Sequence, residues 1–172
     1  MTADPVTEFE LYRNELLAEL GVRDPVAVLR TTLDELDLLV RGASVSQLRR
    51  QPAVGEWSPG EVLNHLADSD LVFSVRARMM VTQARPTLVG YDQEAWTARF
   101  GGLDATPQET FERWRALRLA NLRVIESLQP EEWERVGLHT ERGEESVRLH
   151  VRLLAGHDRI HLAQFRVGLS AS

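Results

Sequence analysis

Four stretches of this chain repeat apolar residues every three or four positions over roughly 18–24 residues each, a period that only a helix can bury on one side. The boundaries are written in the same stretches. Asp24-Pro25 opens the first, which runs through Val26, Leu29, Leu33, Leu36 and Val40 to Gly42. Ser58-Pro59-Gly60-Glu61 is a capping box with proline at the first helical position, and its helix is expected to reach Met80 or Val81. Thr106-Pro107-Gln108-Glu109 repeats the device, and Phe111, Trp114, Leu117, Leu122 and Ile125 carry that helix to about Leu128. The last helix is expected from near Glu145 through Val151, Leu154, Leu162 and Phe165 to Gly168. An additional helix is expected over 7–20, ended by Gly21. Strand signals are nearly absent; a short extended piece fits near 137–141. The pattern predicts an all-α fold: a four-helix bundle plus an extra N-terminal helix, in one domain over 1–172 with its core at about 25–168.

The connection between residues 82 and 105 is too long for a hairpin and permits a crossover along the bundle, with room for a short helix at Asp92–Phe100. Connections of that length usually carry function.

Absent residue types narrow the chemistry. Cysteine does not occur, which removes thiolate ligands, disulfides and a cysteine nucleophile. Lysine does not occur either, since all 20 basic residues are arginine, so Schiff-base chemistry is excluded. A net charge of −6 gives no field for nucleic acid or anionic lipid. Arg113, Arg115, Arg118 and Arg123 share a helix, but Glu109, Glu112 and Glu126 interleave with them and no aromatic platform accompanies them. No apolar window is long enough to cross a bilayer, and the first residues lack a basic-then-apolar secretory pattern, so the expected location is the cytoplasm.

Histidine is what remains for metal chemistry. His157 and His161 lie four residues apart on the last helix, on the face shared with Leu154, Gln164 and Phe165. That spacing lets two imidazoles converge on one ion. His65 faces inward from the helix opened by Ser58, beside Val62 and Ser69. If the two helices are antiparallel neighbours, the three rings reach one level. Phase alone leaves open that each is a hydrogen-bonded core histidine. His139 and His150 read as structural or solvated residues, though either could line the pocket; Arg76 and Arg78 could meet an acidic substrate but read first as surface charges. Asp158 lies off the histidine face, either a solvated charge or an outer partner of an imidazole.

Four segments carry a resemblance. Trp57-Ser58-Pro59-Gly60-Glu61-Val62-Leu63-Asn64-His65-Leu66-Ala67-Asp68 resembles the W-S-x-x-E-V-L-x-H-L-A-D segment of DinB-like, YfiT-type proteins. Tyr91-Asp92-Gln93-Glu94-Ala95-Trp96 is similar to that family's D-x-E-x-W crossover, and Trp133 to His139 to its W-x-R-x-G-x-H loop. Ala155 to Gln164 resembles its terminal H-D-x-x-H-L-x-Q signature. In such proteins an N-terminal helix like that at 7–20 is a common addition. The resemblance implies a bundle whose second-to-third connection crosses over, a nickel or zinc ion on His65, His157 and His161, and a homodimer. It also implies a choice of activity. Some relatives activate a low-molecular-weight thiol on the metal, as bacillithiol S-transferases and mycothiol-dependent maleylpyruvate isomerases do. Others are described only as metal-dependent hydrolases. The family name reflects DNA-damage-inducible expression, so a non-catalytic stress-response metal binder is a further alternative.

Three protein ligands with open positions is the pattern of a catalytic ion. With no cysteine in the chain, a thiol nucleophile must come from outside, and the expected partners are a small thiol and an electrophile. Hydrolysis would instead need a carboxylate base, for which Glu61, one turn before His65, is best phased, although its capping box competes for it. Gln164 is the second candidate catalytic residue. Asn64, Tyr91, Asp92 and Trp96 are expected near the pocket, and Trp57 and Trp133 in the core.

Overall fold

Three of the long helices start where their caps were expected. In the computed structural model, which describes residues 5–104 and 106–171, α1 spans Pro5–Leu20 and α2 spans Pro25–Gly42. Asp24 accepts from the Val26 and Ala27 amides at the start of α2. A five-residue helix, α3 (Val45–Arg49), follows on a Ser44–Gln47 capping box that the sequence reading passed over. Then come α4 (Pro59–Thr82), β1 (Thr87–Leu88), α5 (Gln93–Phe100) and α6 (Pro107–Ser127). A 3₁₀ turn (Pro130–Glu134), β2 (Val136–His139), β3 (Gly143–Ser146) and α7 (Val147–Ser170) complete the chain.

The bundle is formed by α2, α4, α6 and α7. Side-chain pairs give its directions. Pairs between α4 and α6 climb together, Asn64 with Arg113 and Asp70 with Arg118 and Asn121, so these neighbours run parallel. A Cβ on Gly168 would sit 3.0 Å from the Pro59 ring, so the end of α7 meets the start of α4 and that pair is antiparallel. Parallel neighbours cannot be joined by a tight turn, which is why the segment between α4 and α6 returns along the whole bundle and holds β1 and α5. α1 lies outside, against α7. The two approach so closely at Gly156 that an added Cβ would stand 2.0 Å from the Leu16 carbonyl oxygen, so only glycine fits.

Two findings correct the sequence reading. The extended piece is a three-stranded sheet in the order β1-β2-β3, parallel at Thr87↔Leu138 and antiparallel at Leu138↔Glu144. It was hard to see because β1 has two residues and β3 is Gly-Glu-Glu-Ser, without β-branched or aromatic residues. For the same reason Glu145 lies in β3, and α7 begins two residues later on the Ser146 cap. The sheet closes the end of the bundle where α4 stops. Arg135 reaches from the loop before β2 to donate to the Met80 and Gln83 carbonyls at that stop.

Two apolar clusters fill the interior. One contains Leu29, Phe73, Met80, Leu122 and Val151, and the other Leu36, Leu63, Leu66, Trp114 and Phe165. Between them lies a fully buried charged group. Arg118 on α6 donates to Asp70 on α4 at 2.7 Å and to Asp158 on α7 at 2.8 Å, and its Nη1 reaches the Leu29 carbonyl of α2 at 3.3 Å. Trp114 and Asn121 also donate to Asp70. One guanidinium thus ties all four bundle helices, and neighbouring carboxylates hold it well above the usual arginine range against the opposing effect of burial. Asp158 is therefore neither solvated nor an imidazole partner; it is wholly buried on Arg118. Arg118 drops out of the basic cluster read on α6, and Arg113 pairs with Asp104.

Candidate metal centre

The level at which the rings meet is set by the helix directions. His65 is six residues inside α4, and His157 and His161 occupy successive turns of α7, which passes α4 in the opposite sense. The His65 and His157 Nε2 atoms stand 2.8 Å apart. Ring centroids are 4.6 Å apart for His65 and His161 and 4.2 Å for His157 and His161. One nitrogen from each ring lies within 4.8 Å of the others. Ligands bound to one ion at about 2.0–2.1 Å with near-tetrahedral to right-angle geometry stand roughly 2.9–3.4 Å apart, so small movements would seat an ion.

The donor set fits a divalent metal better than it fits itself. His161 Nδ1 donates to Gln164 Oε1 at 2.8 Å, which leaves Nε2 as the bare lone pair of that ring. Only one N–H can be shared between the two Nε2 atoms of His65 and His157, and His157 Nδ1 is buried without a partner. A cation would satisfy every inward lone pair at once. Burial and the neighbouring His161 lower the His65 pKa to about 3, and burial pushes His157 and His161 down as well. All three are therefore neutral near pH 7, the form that binds metal.

The other predicted residues are distributed as follows. Gln164 meets the cluster only through its Oε1, which accepts from His161 Nδ1 and so fixes that ring. Glu61 completes its capping box, with Oε2 accepting from the Ser58 amide and hydroxyl at 2.7 Å each. Asp92 is likewise engaged at the start of α5, accepting from Ala95. Asn64 is buried between Asp68 and Arg113. Trp57 does more than plug the core: its ring centroid is 4.9 Å from that of His65 and 6.3 Å from that of His161, walling one side of the centre. Trp133 packs on the core edge under Arg148. Tyr91 and Trp96 stack at 4.7 Å, and Tyr91 shares a hydrogen bond with Ser69.

On its α1 and sheet side, the His157 ring lines a cavity of about 170 Å³ between α1, α4, α7, the crossover and the β2–β3 hairpin. His139, His150 and Arg76 line it too. All three are buried, which agrees with the structural, pocket-lining alternative for the two histidines and corrects the surface-charge reading of Arg76. The signal was present in part, since His150 shares the phase of His157 two turns earlier. Arg78, by contrast, is exposed and bonds its own helix at Ser74.

Every histidine of the chain has a lowered pKa, with burial the first cause in each. The unfolded chain then takes up protons near pH 6.5 that the folded chain refuses until lower pH, so stability falls as pH falls from 6.5 towards 3–4. Asp68 and Asp158, raised by burial, oppose this over the acidic range, but they are fewer. Urea titrations with chelator present are expected to find the protein less stable at pH 5 than at pH 7.5 by more than about 2 kcal/mol, the slope being up to about 1.4 kcal/mol per pH unit for each histidine. Equal stability at the two values would contradict neutral burial of the rings.

A family model described as the DinB superfamily matches residues 29–165. A relative from Oceanobacillus iheyensis named "Putative metal-dependent hydrolase" is 28% identical over 145 residues, covering 83% of this chain and 82% of its own. A second from that organism, with the same description, is 25% identical and covers 92% and 91%. One from Bacillus cereus, also so named, is 26% identical over 130 residues, covering 76% and 75%. Among solved structures, "YfiT from Bacillus subtilis is a probable metal-dependent hydrolase with an unusual four-helix bundle topology" aligns with a TM-score of 0.75 at 22% identity. It covers 83% of this chain and 82% of that one, a likeness of fold.

Proposed function

The chain belongs to the DinB superfamily, and from that premise we propose that it is a metal-dependent enzyme that transfers an external low-molecular-weight thiol to a small electrophile. The observation that carries the reading is three neutral imidazoles facing one another with no carboxylate among the described residues in their cluster. His65, His157 and His161 would hold nickel or zinc, both of which suit imidazole donors. When bound, such an ion supplies Lewis acidity, which lowers the pKa of a thiol or water and polarises a substrate.

The chain's own residues favour thiol transfer. Its bond balance is simple: a sulfur–carbon bond forms, the carbon–leaving-group bond breaks, and the thiol proton departs with the leaving group as the acid. No positioned base is needed once the thiol is acidified. Hydrolysis needs one, and the nearby carboxylates are engaged, Asp70 and Asp158 by Arg118 and Glu61 Oε2 by Ser58. Gln164 holds the His161 ring, and Trp57 excludes water from one side. A hydrolase is the second reading, favoured by the descriptions of the relatives, with the remaining oxygen of Glu61 as base.

Nickel- or zinc-loaded protein mixed with a panel of small thiols and monochlorobimane is expected to give conjugation that chelator abolishes and added metal restores. Chelator-sensitive ester or amide cleavage without any thiol, and no conjugation, would instead select the hydrolase.

A further inference from the structure

Two arginines of this bundle are buried, and they differ in one respect. Arg118 is enclosed by two carboxylates. Arg76, on α4 and only 7% exposed, has no carboxylate within ion-pair distance among the described residues. Its one hydrogen bond is from Nη2 to the Val89 carbonyl. A guanidinium stays charged even when buried, and an unpaired buried charge is costly unless something pairs with it. Arg76 lines the cavity that His157 also lines.

The neighbours of Arg76 include further donors. His139 Nδ1 accepts from the Glu141 amide at 3.2 Å, so its proton is on Nε2, and that nitrogen is buried without a partner. Arg142 lies on the same wall, with its charge matched by Glu145 at 2.6 Å. Glu145 Oε2, which also accepts from Arg142 Nη2 at 2.9 Å, stands 3.5 Å from His150 Nδ1. Glu141 also lines the cavity but is exposed. Arg76 is thus left without an ion pair, acted on by Glu145 and Glu141 only at longer range, beside a neutral N–H donor.

The cavity follows the helix axes. His150 is seven residues before His157 on α7, about 10 Å along the helix. Arg76 is eleven residues after His65 on α4, so its attachment lies about 16 Å along that helix from the metal centre.

We propose that Arg76, with His139 Nε2–H, is the subsite for a single carboxylate of the substrate, in the cavity that His157 also lines. A carboxylate is favoured over the more highly charged phosphate because Glu141 and Glu145 already act on Arg76, and a guanidinium edge can donate to two carboxylate oxygens side by side. This deepens the thiol-transfer reading and rests on it for which end reacts. The binding event itself needs only the residues named.

The test is a thermal-melt and calorimetric titration of the full-length protein, as purified and after chelation, with butyrate, hexanoate, octanoate and inorganic phosphate. Hexanoate or octanoate is expected to raise the melting temperature of both forms. Arg76→Met should weaken that binding at least tenfold while leaving metal content and the ligand-free melting temperature equal or higher. Arg76→Lys should fall between, and Arg78→Gln, on the exposed side of α4, should match the parent. No stabilisation by any carboxylate, or equal stabilisation of Arg76→Met, overturns the proposal, and phosphate binding as well as the carboxylates overturns the monoanion assignment. Metal content, read in the same samples, keeps the two ideas apart. A subsite that fails while the histidines hold their ion leaves the metal reading standing, and the reverse outcome leaves the subsite.

Discussion

Replacing His65 with alanine is expected to weaken metal binding by more than about a hundredfold, beyond the 10–100-fold lost when only an outer partner of a ligand is removed. The reason is the division of the site between helices. His157 and His161 sit on consecutive turns of α7, and alone they offer two donors on one face. His65 is the one ring of the three that comes from α4, and with it the site spans the bundle. Gln164→Leu should show the milder effect, because His161 would keep its place and lose the acceptor that fixes its tautomer. Calorimetric titration of nickel or zinc into chelator-stripped protein reads both. The circular dichroism of His65→Ala should be unchanged, because the ring is replaced inside a helix whose caps and core remain. Affinity and stoichiometry equal to the parent's would remove His65 from the centre and with it the three-histidine reading.

Arg118→Met is expected to destabilise the fold by about 3–5 kcal/mol, the range for breaking a buried ion pair from one side. That is a large part of the roughly 5–15 kcal/mol that holds a domain together. The loss arises less from the contacts removed than from Asp70 and Asp158, left buried with no cation. Replacing all three residues with apolar side chains of similar volume should recover much of it. Asp158 is also the residue after His157, so the single variant should loosen the turn that presents the ring and lower metal affinity with stability. Urea denaturation of the two variants beside the parent measures the first effect. A loss under about 1 kcal/mol in Arg118→Met would mean that the trio is solvated and does not knit the helices together.

Much of this architecture was legible because helix caps and helix period are local signals. Asp24, Ser58 and Thr106 each announce a helix within four residues, and each caps as expected. The convergence of His65, His157 and His161 followed from phase together with an antiparallel α4–α7 pairing. What escaped was set by contacts distant in sequence. Arg118 lies on the inward phase of α6 with Phe111, Trp114 and Leu122, yet nothing local tells a paired arginine from a surface one. Asp70 and Asp158 become its partners only when three helices meet. The sheet depends on a two-residue strand finding Leu138 and His139 some fifty residues away. Arg76 sits beside the exposed Val75 and two residues before the exposed Arg78, and its burial comes from the crossover laid over it.

The docking of α1 at Gly156 reaches beyond packing. Phe9, Tyr12 and Leu16 form one wall of the cavity, and they lie before residue 29, where the match to the family begins. The histidines belong to the shared portion of the chain and this wall to the portion outside it. On the proposed reading, the wall that α1 adds would help decide which molecules fit, while the metal centre and the Arg76–His139 subsite both lie in the matched portion. Exchanging α1 between relatives that carry a small residue at the docking point should redirect which molecules are accepted while leaving the reactive end untouched.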